Sequence, residues 1–174
     1  VNTIINDGGI LTGDNTDVYG FVQGLLREDG IDEFPECVCI IGAGGAARGV
    51  VYGCITRPEV HNIVVFNRTE DKAVRLAEEF TNKTGKRIDA RRLDIETLRE
   101  VVPEAGVIVN TTSVGYDIVI PPLETRLLKE ASQRGARTVS GLAMLALQGA
   151  RSLSLWTGSD APEEFMISTL RKLF

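Results

Sequence analysis

The feature that most constrains this chain is a five-residue apolar run, Cys37-Val38-Cys39-Ile40-Ile41, followed at once by Gly42-Ala43-Gly44-Gly45-Ala46-Ala47. A short run that is apolar at every position, rather than at alternate ones, reads as a strand buried on both faces, as in a parallel sheet. The residues after it match G-x-G-x-x-A at the point where a strand gives way to a helix. Gly42 suits the tight turn, Gly44 lets a pyrophosphate approach the backbone, and Ala47 lets helix and strand pack closely. Ala43, Gly45 and Ala46 complete the same candidate cofactor-binding loop, whose free N–H groups and helix dipole favour an anion. A plain strand–turn–helix connection is the competing reading.

The rest of the sequence repeats that rhythm. Ile63–Phe66 and Val107–Asn110 read as further apolar strands, Arg87–Arg91 as a weak one, Asp117–Ile120 and the very short Thr138–Val139 as two more. Between them, helical spacing predicts Ala46–Thr56, Glu70–Phe80, Ile95–Val102 with Asp94 as N-cap, and Leu123–Arg134 closed by Gly135. Helices at about Met144–Leu155 and Pro162–Leu173 finish the chain. Ahead of this unit, Thr3–Asn6, the turn Asp7-Gly8-Gly9 and Ile10–Thr12 read as a hairpin. A helix capped by Asn15 or Thr16 then runs to about Glu28, with Val18, Phe21, Val22, Leu25 and Leu26 on one face. Strands alternating with helices predict an α/β fold, a doubly wound parallel sheet of Rossmann type.

Composition narrows the function. With 174 residues the prior is one domain or one plus a short extension, and a net charge of −5 argues against a nucleic-acid partner. No apolar run reaches the ~20 residues of a membrane span. One His, His61, excludes a multi-His metal site, and three Cys are too few for a disulfide framework, so Cys37, Cys39 and Cys54 read as reduced core thiols of a cytoplasmic protein. No metal is expected. The chain opens Val1-Asn2-Thr3 without Met and without a visible signal peptide, and is expected to be a piece of a longer protein.

The tip of the Ile63–Phe66 strand speaks to which dinucleotide binds. A site for NAD usually places Asp or Glu there to hold the ribose 2′-OH. Here Asn67-Arg68-Thr69 follows: no carboxylate repels a 2′-phosphate, Arg68 can grip one with its planar fork, Thr69 can add a hydroxyl and Lys72 a second cation. This favours NADP, while a solvated loop Arg68 and a helix-capping Thr69 are the plain alternative. Three further polar residues stand out. Asp17 belongs to a possible N-cap cluster, Asn2 sits at a turn or strand edge, and Gln148, on an otherwise apolar helix face, is either a satisfied amide or a ligand contact. Trp156, with Met144, Leu145 and Leu147, reads as core packing.

Taken in order, Val1-Asn2-Thr3, Gly13-Asp14-Asn15-Thr16-Asp17, Gly42–Ala47, Asn67-Arg68-Thr69, Asn110-Thr111-Thr112-Ser113-Val114-Gly115, Pro122-Leu123-Glu124-Thr125 and Gly141-Leu142-Ala143-Met144-Leu145 with Gln148-Gly149-Ala150 resemble the shikimate dehydrogenase family. The resemblance implies NADPH-dependent reduction of 3-dehydroshikimate to shikimate, in aromatic amino acid biosynthesis. It implies Asp17 as a catalytic residue and substrate ligand, with Asn2 and Gln148 binding further substrate hydroxyls. Thr111, Ser113, Ile118 and Gly141 then join the cofactor site, Gly141 beside the nicotinamide. It also implies a remnant of an N-terminal substrate domain over residues 1–16, an NADP-binding domain over 17–150, C-terminal helices over 151–174, and a homodimer as the assembly to test. The family's catalytic Lys lies upstream of the Val-Asn-Thr motif. The five Lys here, Lys72, Lys83, Lys86, Lys129 and Lys172, match it nowhere, so these residues alone are expected to be inactive. The family also carries a longer loop near Gly115–Tyr116 and often a substrate-touching Tyr where Ile120 stands. A non-catalytic NADP-binding module, and a quinate/shikimate dehydrogenase using NAD, are the alternatives.

Overall fold

The computed structural model describes residues 1–27, 31–112 and 125–173. The elements are β1 (Thr3–Asp7), β2 (Ile10–Asp14), α1 (Thr16–Leu26), β3 (Cys37–Ile41), α2 (Gly45–Ile55), β4 (Asn62–Asn67), α3 (Glu70–Thr84), β5 (Asp89–Arg92), α4 (Ile95–Val101), a 3-10 turn (Val102–Glu104), β6 (Val107–Asn110), α5 (Arg126–Gln133), α6 (Leu142–Thr157) and α7 (Glu163–Leu173). They gather into two compact units, Asp32–Tyr116 and Val1–Ile31 with Asp117–Phe174.

In the first of these units β3 pairs in parallel with β4 and with β6, and β4 with β5, giving the order β5-β4-β3-β6. Val38, Cys39 and Ile40 are wholly buried, as the unbroken apolar run requires. Cys39, Val64 and Phe66 face Leu98 and Val101 of α4, together with Leu93 and Ala105. The alternate residues face the other way, where α2 and α3 pack on β3, β4 and β5. Helices thus cover both faces, and the chain leaves β3 in one direction through α2 and returns on its other side as β6. That is a topological switch point, the place where open α/β sheets bind ligands at the carboxyl ends of their strands. The weak strand forms as β5, one or two residues later than its spacing suggests. Its two arginines suit a sheet border, where charge blunts pairing with other chains.

The other unit is built on the β1–β2 antiparallel hairpin and on α1, α6 and α7. Helix α1 lies against α6 through Gly20 and Gly24: a Cβ at Gly20 would come within 2.6 Å of the Met144 carbonyl oxygen, and one at Gly24 within 3.1 Å of the Met144 nitrogen. Only glycine allows this approach, and the predicted face of Phe21, Val22 and Leu25 is buried beside it. Asn15 caps α1, its side-chain oxygen accepting from the Asp17 N–H.

Three expectations change. Thr138–Val139 is not a strand, because ladder bonds come from a neighbour and two β-prone residues bring none. Helix α5 begins only after Thr125, whose hydroxyl accepts from the Leu128 N–H and so fixes the start. Trp156 is exposed rather than core: α6 buries Leu142, Ala143, Ala146, Leu147 and Ala150, and the indole lies off that face with its N–H donating to the Ile4 carbonyl at 2.9 Å. The strand expected at Asp117–Ile120 lies outside the described residues.

Candidate functional site

At the switch point the loop after β3 divides by role. Gly42 has φ +112°, a conformation that suits glycine alone, and a Cβ there would stand 2.5 Å from the Thr111 hydroxyl oxygen. Its N–H donates to the Phe66 carbonyl at 2.7 Å. Thr111 binds the same turn, its hydroxyl donating to the Ile41 carbonyl at 2.9 Å. Gly42 is therefore demanded by the protein's own chain, and Thr111 braces it. Gly44 and Gly45 are different: a Cβ on either would meet nothing within 4 Å. Neither has a positive φ. Nothing in the described fold requires glycine there, so open, exposed backbone is what these positions provide. Ala43 and Ala46 are half-buried beside them and Ala47 is fully buried.

Helix α2 starts at Gly44 without a capping side chain and without an acidic residue in its first turn. The first N–H groups of a helix have no internal partner, so this end presents donors and a positive dipole end together. By contrast, α4 has Asp94 accepting from the N–H groups of Glu96 and Thr97. Those bonds, from Thr97 first, hold the Asp94 carboxyl below its usual range.

At the tip of β4, Asn67 donates from its side-chain nitrogen to the Thr69 carbonyl at 2.8 Å, which fixes the bend. Thr69 occupies the N-cap position of α3, yet its hydroxyl makes no capping bond. Arg68 and Lys72 are exposed, and neither side chain has a hydrogen bond or ion pair among the described residues. A hydroxyl and two cations are thus left unspent at one strand end. Arg92, which the motif reading did not single out, lies opposite Asn67 across the β4–β5 ladder and adds a further exposed guanidinium.

The polar residues of the hairpin–helix unit form a second cluster. Asn2 donates from Nδ2 to Asp17 Oδ1 at 2.9 Å. Its Oδ1 accepts from the Thr16 N–H at 2.9 Å and lies within reach of the Thr16 and Thr3 hydroxyls at 3.2 and 3.1 Å. Asp17 is half-buried at the first turn of α1, and no cation pairs with it among the described residues. Gln148 is half-buried on α6 and donates to the Leu145 carbonyl at 3.0 Å, leaving its Oε1 without a partner among the described residues. Gly141 is the N-cap of α6, again without a side-chain cap. Ser113 and Ile118 lie outside the described residues. The signal that sequence reading missed is in Thr3, Thr16 and Ser152, whose buried hydroxyls meet behind Asn2.

The thiols take no part. Burial pushes Cys39 and Cys54 up to about 12, and Cys37 is raised for the same reason, so none is a thiolate near neutrality. No described helix is long and apolar enough to cross a membrane.

Comparison with known proteins gives the same frame. Residues 31–138 match the family described as shikimate / quinate 5-dehydrogenase, and residues 141–171 the shikimate 5′-dehydrogenase C-terminal domain. A shikimate dehydrogenase (NADP+) of Methanopyrus kandleri is 38% identical over 188 residues, covering 95% of this chain and 64% of that protein. Among solved structures, shikimate 5-dehydrogenase from Listeria monocytogenes, in complex with shikimate and NAD, superposes with a TM-score of 0.84 at 30% identity, over 96% of this chain and 66% of that one. The enzyme from Thermus thermophilus, in complex with NADP(H) and shikimate, gives a TM-score of 0.77 at 32% identity, over 98% of this chain and 67% of that one. The chain spans about two thirds of the length of the curated relatives it matches. Its parallel sheet, its Gly-rich turn at the switch point and these matches agree, and the chain belongs to the shikimate/quinate 5-dehydrogenase family.

Proposed function

We propose that this chain carries the cofactor site and part of the substrate wall of an enzyme that reduces 3-dehydroshikimate to shikimate with NADPH. The observation that carries the reading is the pairing of open backbone at Gly44 and Gly45 with an uncapped α2 and an Arg68 unpaired among the described residues. A pyrophosphate fits the first two and a 2′-phosphate the third. Lys72 and the Thr69 hydroxyl add to the 2′-phosphate end, and Gly42, Ala43 and Ala46 shape the turn. Thr111 acts by bracing Gly42, and Ser113, Ile118 and Gly141 are assigned to the cofactor site by family resemblance, Gly141 beside the nicotinamide.

Ketone reduction needs a hydride at the carbonyl carbon and a proton at its oxygen. Bound NADPH supplies the hydride. The chain's own residues hold the polyhydroxylated ring. Asp17 accepts from one substrate hydroxyl, Asn2 donates its second N–H to a hydroxyl oxygen, and Gln148 Oε1 accepts from another. Holding the ring this way removes much of the entropic barrier to reaction. None of the five Lys pairs with Asp17 among the described residues. We therefore assign the proton-transferring Lys, which the family resemblance sets beside this Asp, to the part of the relatives' length that the match leaves out. Taken as an isolated piece, the 174 residues bind NADP(H) and oxidise shikimate very slowly.

Titration with NADP+ and NAD+, beside steady-state shikimate oxidation by the whole protein, tests this reading. Tighter binding of NADP+ and shikimate-dependent NADPH formation are expected. Equal affinity for the two dinucleotides, or NADP+ reduction with quinate and none with shikimate, overturns it.

A further inference from the structure

We infer that Thr3, Thr16 and Ser152 are positioning residues that fix which way the Asn2 amide faces, and through it the Asp17 carboxylate. This rests on the reading of Asn2 and Asp17 as substrate ligands.

Three hydroxyls from three elements converge in the interior of the hairpin–helix unit. Thr3 on β1, Thr16 at the start of α1 and Ser152 on α6 have relative exposures of 2%, 1% and 7%. Thr3 and Ser152 are 2.8 Å apart, Thr16 and Ser152 3.0 Å, and Thr3 and Thr16 3.4 Å. Ser152 lies one turn after Gln148 and reaches back to its carbonyl at 3.0 Å. Each hydroxyl has one proton to give, and a buried hydroxyl that gives it to nothing is costly.

The protons have few consistent places to go. Ser152 donates to the Gln148 carbonyl, so its oxygen must accept from Thr3 or Thr16. Ser152 Oγ has two lone pairs and can accept from both, and a hydroxyl that does not donate to it has Asn2 Oδ1 within reach. The Thr16 backbone N–H also points at Asn2, at 2.9 Å, and an N–H can only donate. Asn2 Oδ1 thus receives the N–H in every arrangement, and an O–H as well when a hydroxyl turns to it. The amide cannot turn over, because Nδ2 would then face the Thr16 N–H, which cannot accept. Its NH2 group is held outward on the exposed side of the residue, one N–H donating to Asp17 Oδ1 and the other unpaired among the described residues.

The consequence is chemical. Asn2 meets the substrate as a donor and Asp17 as an acceptor, and the carboxylate is held by a group whose orientation is set from below. A hydroxyl, which both gives and takes a hydrogen bond, satisfies the pair, whereas a carbonyl or ether oxygen satisfies Asn2 alone. Removing Ser152 Oγ leaves a buried hydroxyl of Thr3 or Thr16 without its acceptor. That hydroxyl then presses a further donor on Asn2 Oδ1, which shifts the amide from its place beside Asp17.

The test uses the whole protein with saturating NADP+ and four variants: Ser152→Ala, Thr16→Val, Thr16→Ser and Asn2→Ala. Shikimate affinity is measured by calorimetry, kcat and KM by steady state, and the Asn2 side-chain amide by 15N NMR. Ser152→Ala and Thr16→Val are expected to weaken shikimate binding roughly five- to tenfold, and to shift or broaden the Asn2 NH2 resonances. NADP+ affinity should hold, and Thr16→Ser, which keeps the hydroxyl, should restore shikimate binding. A lowered melting temperature with shikimate affinity and the Asn2 resonances unchanged overturns the inference, since a merely structural role gives that pattern. If Asn2→Ala weakens shikimate binding while Ser152→Ala and Thr16→Val do not, the positioning role alone falls. If Asn2→Ala has no effect either, the reading of Asn2 as a substrate ligand falls with it.

Discussion

Two helix starts in this chain use the same physics in opposite ways. Helix α2 begins at Gly44 with no side-chain cap and no acid in its first turn. Helix α1 begins at Asn15 with its early N–H groups already taken, the Thr16 N–H by Asn2 and the Asp17 N–H by Asn15. Both starts have unpaired donors by construction. One leaves them without a side-chain partner. The other consumes them internally and presents a carboxylate and an amide NH2 in their place. A bare helix start suits a phosphate whose position the backbone can dictate, and a saturated start suits a ring of hydroxyls that needs oriented side chains.

The largest effect should come from the saturated start. Asp17→Asn in the whole protein is expected to lower kcat for shikimate oxidation by about 10²–10⁴-fold, the usual worth of acid–base help. NADP+ affinity should stay within a factor of about two, because the role proposed for Asp17 is on the substrate side. Steady-state kinetics beside a cofactor titration decides this, and unaltered turnover would return Asp17 to the role of a helix-start acid.

The bare start has its own test. Gly44→Val places a branched side chain in space that no protein atom occupies, so the fold should keep its melting temperature while dinucleotide binding is lost. Gly42→Ala makes the contrast, since its φ of +112° and the nearby Thr111 oxygen make that glycine structural. Unfolding should then precede any loss of affinity. Equal losses of stability in both variants would erase the division between a turn glycine and a ligand glycine.

Arg68→Ala sharpens the comparison at the far end of the same cofactor site. A hydrogen bond to a charged group contributes about 1.5–3 kcal/mol, so NADP+ affinity should drop about tenfold or more with NAD+ nearly untouched. Parallel losses for both dinucleotides would remove Arg68 from the 2′-phosphate. On the substrate side, Gly20→Ala sets a Cβ 2.6 Å from the Met144 oxygen at the α1–α6 crossing. Overpacking of this kind costs about 1–3 kcal/mol. A denaturant midpoint that falls with an unchanged m-value is the expected sign, and shikimate affinity should weaken with it as α1 shifts against α6.

The two starts also differed in how well the sequence announced them. The α2 start was legible because its requirements are local: a glycine for one turn, a bare backbone and a small residue behind a strand, all within Gly42–Ala47. That Arg68 and Lys72 stand exposed beside a strand tip without a carboxylate was legible for the same reason. The α1 start showed only its cap. Thr16 and Ser152 are 136 positions apart and Thr3 and Ser152 149, and nothing in a Thr or a Ser says that it will be buried against another. Gln148 hinted at a polar face, but its partner one turn on was visible only once α1 and β1 were seen against α6. Trp156 was misjudged because an aromatic near an apolar helix face is usually core. Here α6 turns that position outward, and the hairpin carbonyl of Ile4 gives the indole its partner.

The smallest expected effect concerns what holds α2 rather than what it binds. Glu79 on α3 pairs with Arg48 on α2 and, one turn on, with Lys83 at 2.7 Å. Hydrogen bonds from Arg48 first, and then Lys83, draw its carboxyl from an ordinary 4.5 down to about 2. A carboxylate depressed in the folded state stabilises that state fully above its unfolded value and loses the contribution as pH falls through the folded one. The window is therefore about pH 4.5 down to about 2. Because the group is partly exposed, salt screens the pair and its worth is small. Melting curves of the wild-type protein and Glu79→Gln across that window give the measurement. The two should differ most near neutral pH and converge toward pH 2, with the gap narrowing further in high salt. Curves that stay parallel to the lowest pH would show that α2 is held against α3 by packing and not by this pair. The bare helix start would then owe its fixed position to packing, with no electrostatic share.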